Sequence, residues 1–101
     1  MAMTSEPELG RAVMQVLASQ PNHEATVRTL IKNIPDHITL TAEDQTQSTT
    51  RPGEEMWEQR VRNLKSHDKA DGNVIGAGFV RQVSRGTYRL TYAGRRHIGL
   101  S

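Results

Sequence analysis

Between Glu54 and Lys69 the sequence EEMWEQRVRNLKSHDK repeats apolar residues at a helical interval. Trp57, Val61 and Leu64 fall at i, i+4 and i+7, so on a helix of 3.6 residues per turn they share one face. The spacing predicts a single helix of about four turns. Its opposite face carries Gln59, Arg62, Asn63, Ser66 and Lys69, side chains that hydrogen-bond and can reach base edges and phosphates. An amphipathic helix must bury its stripe against something. The rest of the chain is therefore expected to supply a small core and to position this helix.

Around it the local signals give further elements. Residues 1–4 are read as a disordered start and 5–101 as one DNA-binding domain. Ser5 followed by Glu8 has capping-box spacing, and Pro7 is tolerated in a first turn. With the stripe Leu9, Val13, Val16 and Leu17 this predicts a helix over 6–19, ended before Pro21. Asn22 is the expected cap of a second helix over 23–34, with Val27, Leu30, Ile31 and Ile34 buried. Thr41 and Asp44 suggest a helical turn at 42–45. The run QTQSTTRPG, 45–53, has no periodicity and reads as a mobile surface loop. Asp71-Gly72 should end the long helix, and Val74 and Ile75 should return to the core. Two alternating runs, Phe79–Val83 and Thr87–Thr91, flank Ser84-Arg85-Gly86 and read as a β-hairpin. Its expected inward residues are Phe79, Val83, Tyr88 and Leu90. A short helix over 92–99 closes the chain. The predicted fold is mostly α with a small β-hairpin, a winged helix-turn-helix of three helices plus a wing.

Charge bears on the partner. Residues 1–50 hold three basic and six acidic residues, a balance of −3; residues 51–101 hold ten basic and five acidic, a balance of +5. This asymmetry points to a polyanion for the second half, with chance clustering on a solvated surface as the plain alternative. There is no cysteine, which excludes disulfides and Cys-ligated metal and fits a cytoplasmic location. No run reaches the roughly 18 apolar residues of a membrane span, and the first ten residues lack the regions of a signal peptide.

The residues from Trp57 to Arg95 resemble the winged-helix domain found at the N-terminus of Mrr-type restriction proteins and ahead of HNH nucleases. The match lies in W-x-x-R-V-R-x-L at Trp57–Leu64, the strand start Gly78-Phe79, and R-G-T-Y-R-L-T-x-x-G-R at Arg85–Arg95, about 40 residues in all. The segment SHDKADGNVIGAGF is longer than the Mrr-type link and is more similar to winged helices that accompany HNH nucleases. The resemblance implies a module that steers a fused or associated restriction endonuclease to modified DNA, with 5-methylcytosine as target.

Under this reading the partner is double-stranded DNA, methylated or plain. Gln59, Arg62, Asn63 and Ser66 would face bases. Arg51, Lys65, Lys69, Arg81, Arg85, Arg95 and Arg96 would hold phosphates or enter a groove. For each the alternative is an ordinary solvated side chain. Trp57 reads as core. The aromatic residues are too few, and too much needed by the core, to line a flipped-base pocket. The histidines have no metal-ligand spacing, and no nucleophile, base or carboxylate set marks a catalytic centre. No metal, cofactor or enzymatic activity is expected of the chain, and no membrane. The rival functions are a stand-alone winged-helix transcription regulator and a winged helix that binds protein.

Overall fold

A computed structural model describes residues 2–100. The elements run α1 (Glu6–Ala18), β1 (Glu24–Thr26), α2 (Val27–Asn33), α3 (Met56–Arg62), β2 (Val80–Ser84), β3 (Thr87–Leu90) and α4 (Tyr92–His97), with short 3-10 turns at Pro21–His23 and Ile34–Asp36. The strands form an antiparallel sheet in the order β1-β3-β2. The architecture is thus mixed, four helices and a three-stranded sheet.

Helix α1 follows the sequence closely. The Ser5 hydroxyl accepts the Glu8 N–H at 3.3 Å and donates to the Glu8 carboxylate at 2.9 Å, which satisfies one otherwise orphaned helix donor. Leu9, Ala12, Val13, Val16 and Leu17 are all buried, a stripe at i, i+3, i+4, i+7 and i+8. Gly10 on a neighbouring face lies against the Val74 side chain, and a Cβ there would collide with it. Met1 lies outside the described residues, but Thr4, from the stretch read as a disordered start, is buried.

The second helix is shorter than expected. Asn22 and His23 take left-handed backbone conformations, φ 59° and 56°, and turn the chain into β1. Thr26, not Asn22, caps α2, its hydroxyl accepting the Thr29 N–H at 3.3 Å. Residues 24–26 pair with β3, and the Val27 N–H then donates to the Gly86 carbonyl at 2.9 Å. Ladder bonds to a distant hairpin outweigh the helix propensity of three residues, a weak prior.

The organising helix also needs correction. It begins at Met56, two residues later than the spacing predicts, with Glu55 as N-cap in a capping box with Glu58. The loop before it is tied down rather than mobile. Asp44 and Thr46 carbonyls accept the Trp57 and Met56 N–H groups at 3.0 and 2.8 Å, and the Ser48 N–H donates to the Glu54 carbonyl at 2.8 Å. But α3 ends at Arg62, not Lys69. The buried Asn73 amide donates to the Leu64 carbonyl at 3.1 Å, and the Ser66 hydroxyl donates to the Asn63 carbonyl at 3.0 Å. The Asn63 carbonyl also accepts the His67 N–H at 3.1 Å, and residues 63–69 form successive turns. Trp57, Val61 and Leu64 are still buried together.

In the hairpin, Tyr88 and Leu90 point inward as expected, but Val80 takes the place assigned to Phe79 and Val83. Phe79 instead stacks on His97, ring centroids 4.1 Å apart. The register pairs Val80 with Leu90, Arg81 with Arg89 and Gln82 with Tyr88, then shifts between Gln82 and Ser84. Such a bulge moves the following side chain off the alternation. The Thr91 hydroxyl caps α4 by accepting the Gly94 N–H at 3.0 Å.

Candidate nucleic-acid interface

Three separate stretches meet at one groove. Arg51 comes from the loop before α3, Arg62, Lys65 and Ser66 from the end of α3 and the turns after it, and Arg85 from the hairpin turn. Val27, Gln82 and Tyr88 form its floor and wall, and its volume is about 480 Å³. The inward phase of Tyr88 and the pairing of Gln82 with it place the hairpin turn over this side.

The cations here are partly compensated. Glu54 accepts from Arg62 Nε and Nη2 at 2.8 and 2.6 Å, both on one carboxylate oxygen. Its other oxygen is shielded from solvent without a hydrogen bond, 3.9 Å from Arg51 Nε. Lys65 donates to Asp68 at 2.9 Å, and this bond is the main cause holding the Asp68 carboxyl below its usual pKa. Arg85 makes no ion pair among the described residues. The free edge of Arg62 and the whole of Arg85 remain available to an acceptor.

A buried polar cluster fixes the start of α3. The Asp44 carboxylate accepts Thr4 N–H at 2.9 Å, Thr4 O–H at 2.6 Å and Thr41 N–H at 2.9 Å. Burial pushes its pKa up, yet the bonds from Thr4 and Thr41 together outweigh burial and hold it below the ordinary value. Arg60 bonds Glu6 at 3.0 Å and the Thr4 carbonyl at 2.7 Å, so it is structural. Sequence spacing hinted only at the Thr41–Asp44 turn.

The other expected site residues are distributed elsewhere. Gln59 and Asn63 line a separate hollow with Glu6, Arg60 and His67, and the Gln59 side-chain carbonyl accepts the Ser48 hydroxyl. Lys69 borders a depression with Asp71 and Asn73. Arg81 and Arg95 lie with Arg89 on the outer face of the sheet, and Arg96 borders Tyr92 near the end of the chain. Among the described residues no three His, Cys, Asp or Glu side chains gather as a metal site. No described helix is long and apolar enough to cross a membrane.

A family model for the Mrr N-terminal domain matches residues 7–98. The chain belongs to the Mrr N-terminal domain family. No curated protein and no solved structure matches it. The Mrr match spans every segment of the groove, from Val27 to Arg85, and continues through α4. Membership associates the domain with a restriction system.

Proposed function

We propose that this domain is a winged helix-turn-helix module that binds double-stranded DNA and directs a fused or associated restriction nuclease to it. One observation carries the reading: Arg51, Arg62, Lys65 and Arg85 converge on one groove from three separate stretches. The packing of α2 against α3 and the hairpin beside them fit a helix-turn-helix with a wing. In this reading α3 and the turns after it enter the major groove, and Arg85 at the hairpin turn holds phosphate or enters the minor groove.

Base reading falls mainly to Arg62 and Ser66, since they share the groove with Arg85. Gln59 and Asn63 would reach bases only from the far flank of α3. Arg51, Lys65 and Arg85 hold phosphates. Modified cytosine is the proposed target because of the family resemblance. A 5-methyl group adds an apolar knob in the major groove, and Val27 and the Arg62 stem supply apolar surface beside it. The domain itself is proposed as non-catalytic, with residues 5–101 as the binding unit.

The test is a titration with matched methylated and plain duplexes. Arg85→Ala should weaken both alike, whereas Arg62→Ala should shrink the difference between them. Equal losses on every duplex from both changes would remove the base-reading role. Binding that ignores salt would favour a protein partner instead.

A further inference from the structure

The arginines on the outer sheet face are left over by the groove. Across the strand order β1-β3-β2 the residues Glu24, Arg89 and Arg81 stand in one row. Arg81 and Arg89 are direct partners, with Cβ atoms about 5 Å apart, and like charges so placed oppose sheet formation. Arg89 is compensated: Glu24 lies 3.7 Å from its Nε, and the Asn22 carbonyl accepts from the same nitrogen at 3.3 Å. Arg81 has no such partner among the described residues. Arg95 enters from α4, and its Nε is shut off from solvent without an acceptor. These side chains border an open depression of about 700 Å³, which Tyr92 also lines.

Tyr92 makes the surface more than cationic. The residue is 61% exposed, with Arg95 and Arg96 5.6 and 5.8 Å from its ring centroid. A large exposed aromatic beside uncompensated arginines combines the two parts of a single-strand platform: charges that track the backbone and a ring that stacks on a base. Duplex bases have their faces covered by neighbours, so such a ring serves only an unpaired one. An acidic peptide would use the arginines and leave the ring idle.

We propose that the outer face of the sheet is a second nucleic-acid site, one that takes a single strand. Its phosphates lie on Arg81, Arg89 and Arg95, and an unpaired base stacks on Tyr92. The site faces away from the duplex groove, because Arg81 and Arg89 alternate with the inward Val80, Tyr88 and Leu90. It stands independently of the duplex reading.

The experiment is fluorescence anisotropy of the full chain with a labelled oligothymidylate of about eight nucleotides, within the usual site size of a single-strand platform. Saturable binding is expected. Tyr92→Ala should weaken it by about 30-fold, the middle of the range for loss of one stacked base. The double change Arg81→Ala, Arg89→Ala should weaken it at least as much. Arg62→Ala with Arg85→Ala should leave it unchanged, and an unlabelled blunt duplex should not displace the strand. Thermal melts accompany each variant, and Arg81→Gln, which keeps most of the stem, separates lost charge from lost folding. Absence of binding overturns the proposal. So does an unaltered affinity in Tyr92→Ala, displacement by the duplex, or displacement by polyglutamate, which would identify an acidic polypeptide as occupant. Failure of the duplex reading would show differently, as no duplex affinity with oligothymidylate binding intact.

Discussion

The groove beside α3 and the outer face of the sheet both gather arginines, but acids offset more of the charge in the groove, where Arg85 alone makes no ion pair among the described residues. In the groove, Glu54 holds Arg62 and stands near Arg51, and Asp68 holds Lys65. On the outer face one acid, Glu24, serves Arg89, while Arg81 stands unpaired beside it. Paired arginines are held in a defined direction, which suits the reading of a particular edge. Unpaired ones suit a backbone that repeats the same charge at every step. The difference teaches that counting cations along a chain cannot distinguish a reading surface from a gripping one; their acidic neighbours do.

The sharpest way to break this comparison is salt. If Arg51, Lys65 and Arg85 each neutralise one phosphate, the log–log slope of duplex affinity should be about −2.7, and raising salt from 50 to 200 mM should weaken binding about 40-fold. Oligothymidylate on the three outer arginines should give a shallower slope, since each single-strand contact contributes about −0.7. Equal slopes would erase the distinction.

Next comes Asn73→Ala. Asn73 is buried, donates to Leu64 O and Glu6, and accepts from the Ile75 and Gly76 N–H groups at 2.8 and 3.1 Å. Removing it leaves those partners unmatched and should lower unfolding free energy by about 1–3 kcal/mol in a denaturant titration. Because it anchors the turns bearing Lys65 and Ser66, duplex affinity should fall while oligothymidylate affinity holds.

Glu54→Gln has a smaller effect of the opposite sign. It frees Arg62 and Arg51 and removes an anion from the groove proposed to face phosphate. Exposed pairs are worth about 0.2–1 kcal/mol, so duplex binding should tighten by about two- to fivefold, with less discrimination between duplexes. Outer-face binding should not change.

The smallest effect is on pH. Asp44 has a lowered pKa when folded, so its contribution to stability is complete above the unfolded value of 3.8 and is lost as pH falls through the folded one. Melting temperature should drop in that acidic window, and Asp44→Asn should flatten this part of the profile while lowering stability at neutral pH.

Helix α1 was legible to within a residue because its cap and stripe are both local. Strand β1 was not, because three residues carry no period and their pairing partner lies over 60 positions away. The turns after α3 are tied to Asn73 through the Leu64 carbonyl, a long-range bond that cannot be read from spacing. The hairpin was visible, but its first strand was off by one residue, since Phe79 leaves the alternation for His97. The sequence names the cations that line the groove, Arg51, Arg62, Lys65 and Arg85, as candidates, but not Arg89 of the outer face. The division of cations between two faces was not legible, because it follows from sheet register, and so Arg81 and Arg95 were grouped with Arg85. Asp44 reads from spacing only as part of a turn with Thr41, and Ser48 as a loop residue; their long-range bonds to Thr4 and Gln59 carry no sequence signal.

The bond from Val27 N–H to Gly86 O has a wider consequence. It fastens the hairpin turn to the first residue of α2, so the tip cannot sway like a free arm. The gap between Arg85 and Arg62 is then a fixed-gauge caliper, set when the protein folds and not when its partner arrives. For a duplex-binding module this favours one helical form over another: B-form DNA admits protein into a wide major groove, whereas the deep, narrow one of A-form RNA would not admit a helix held at that fixed spacing.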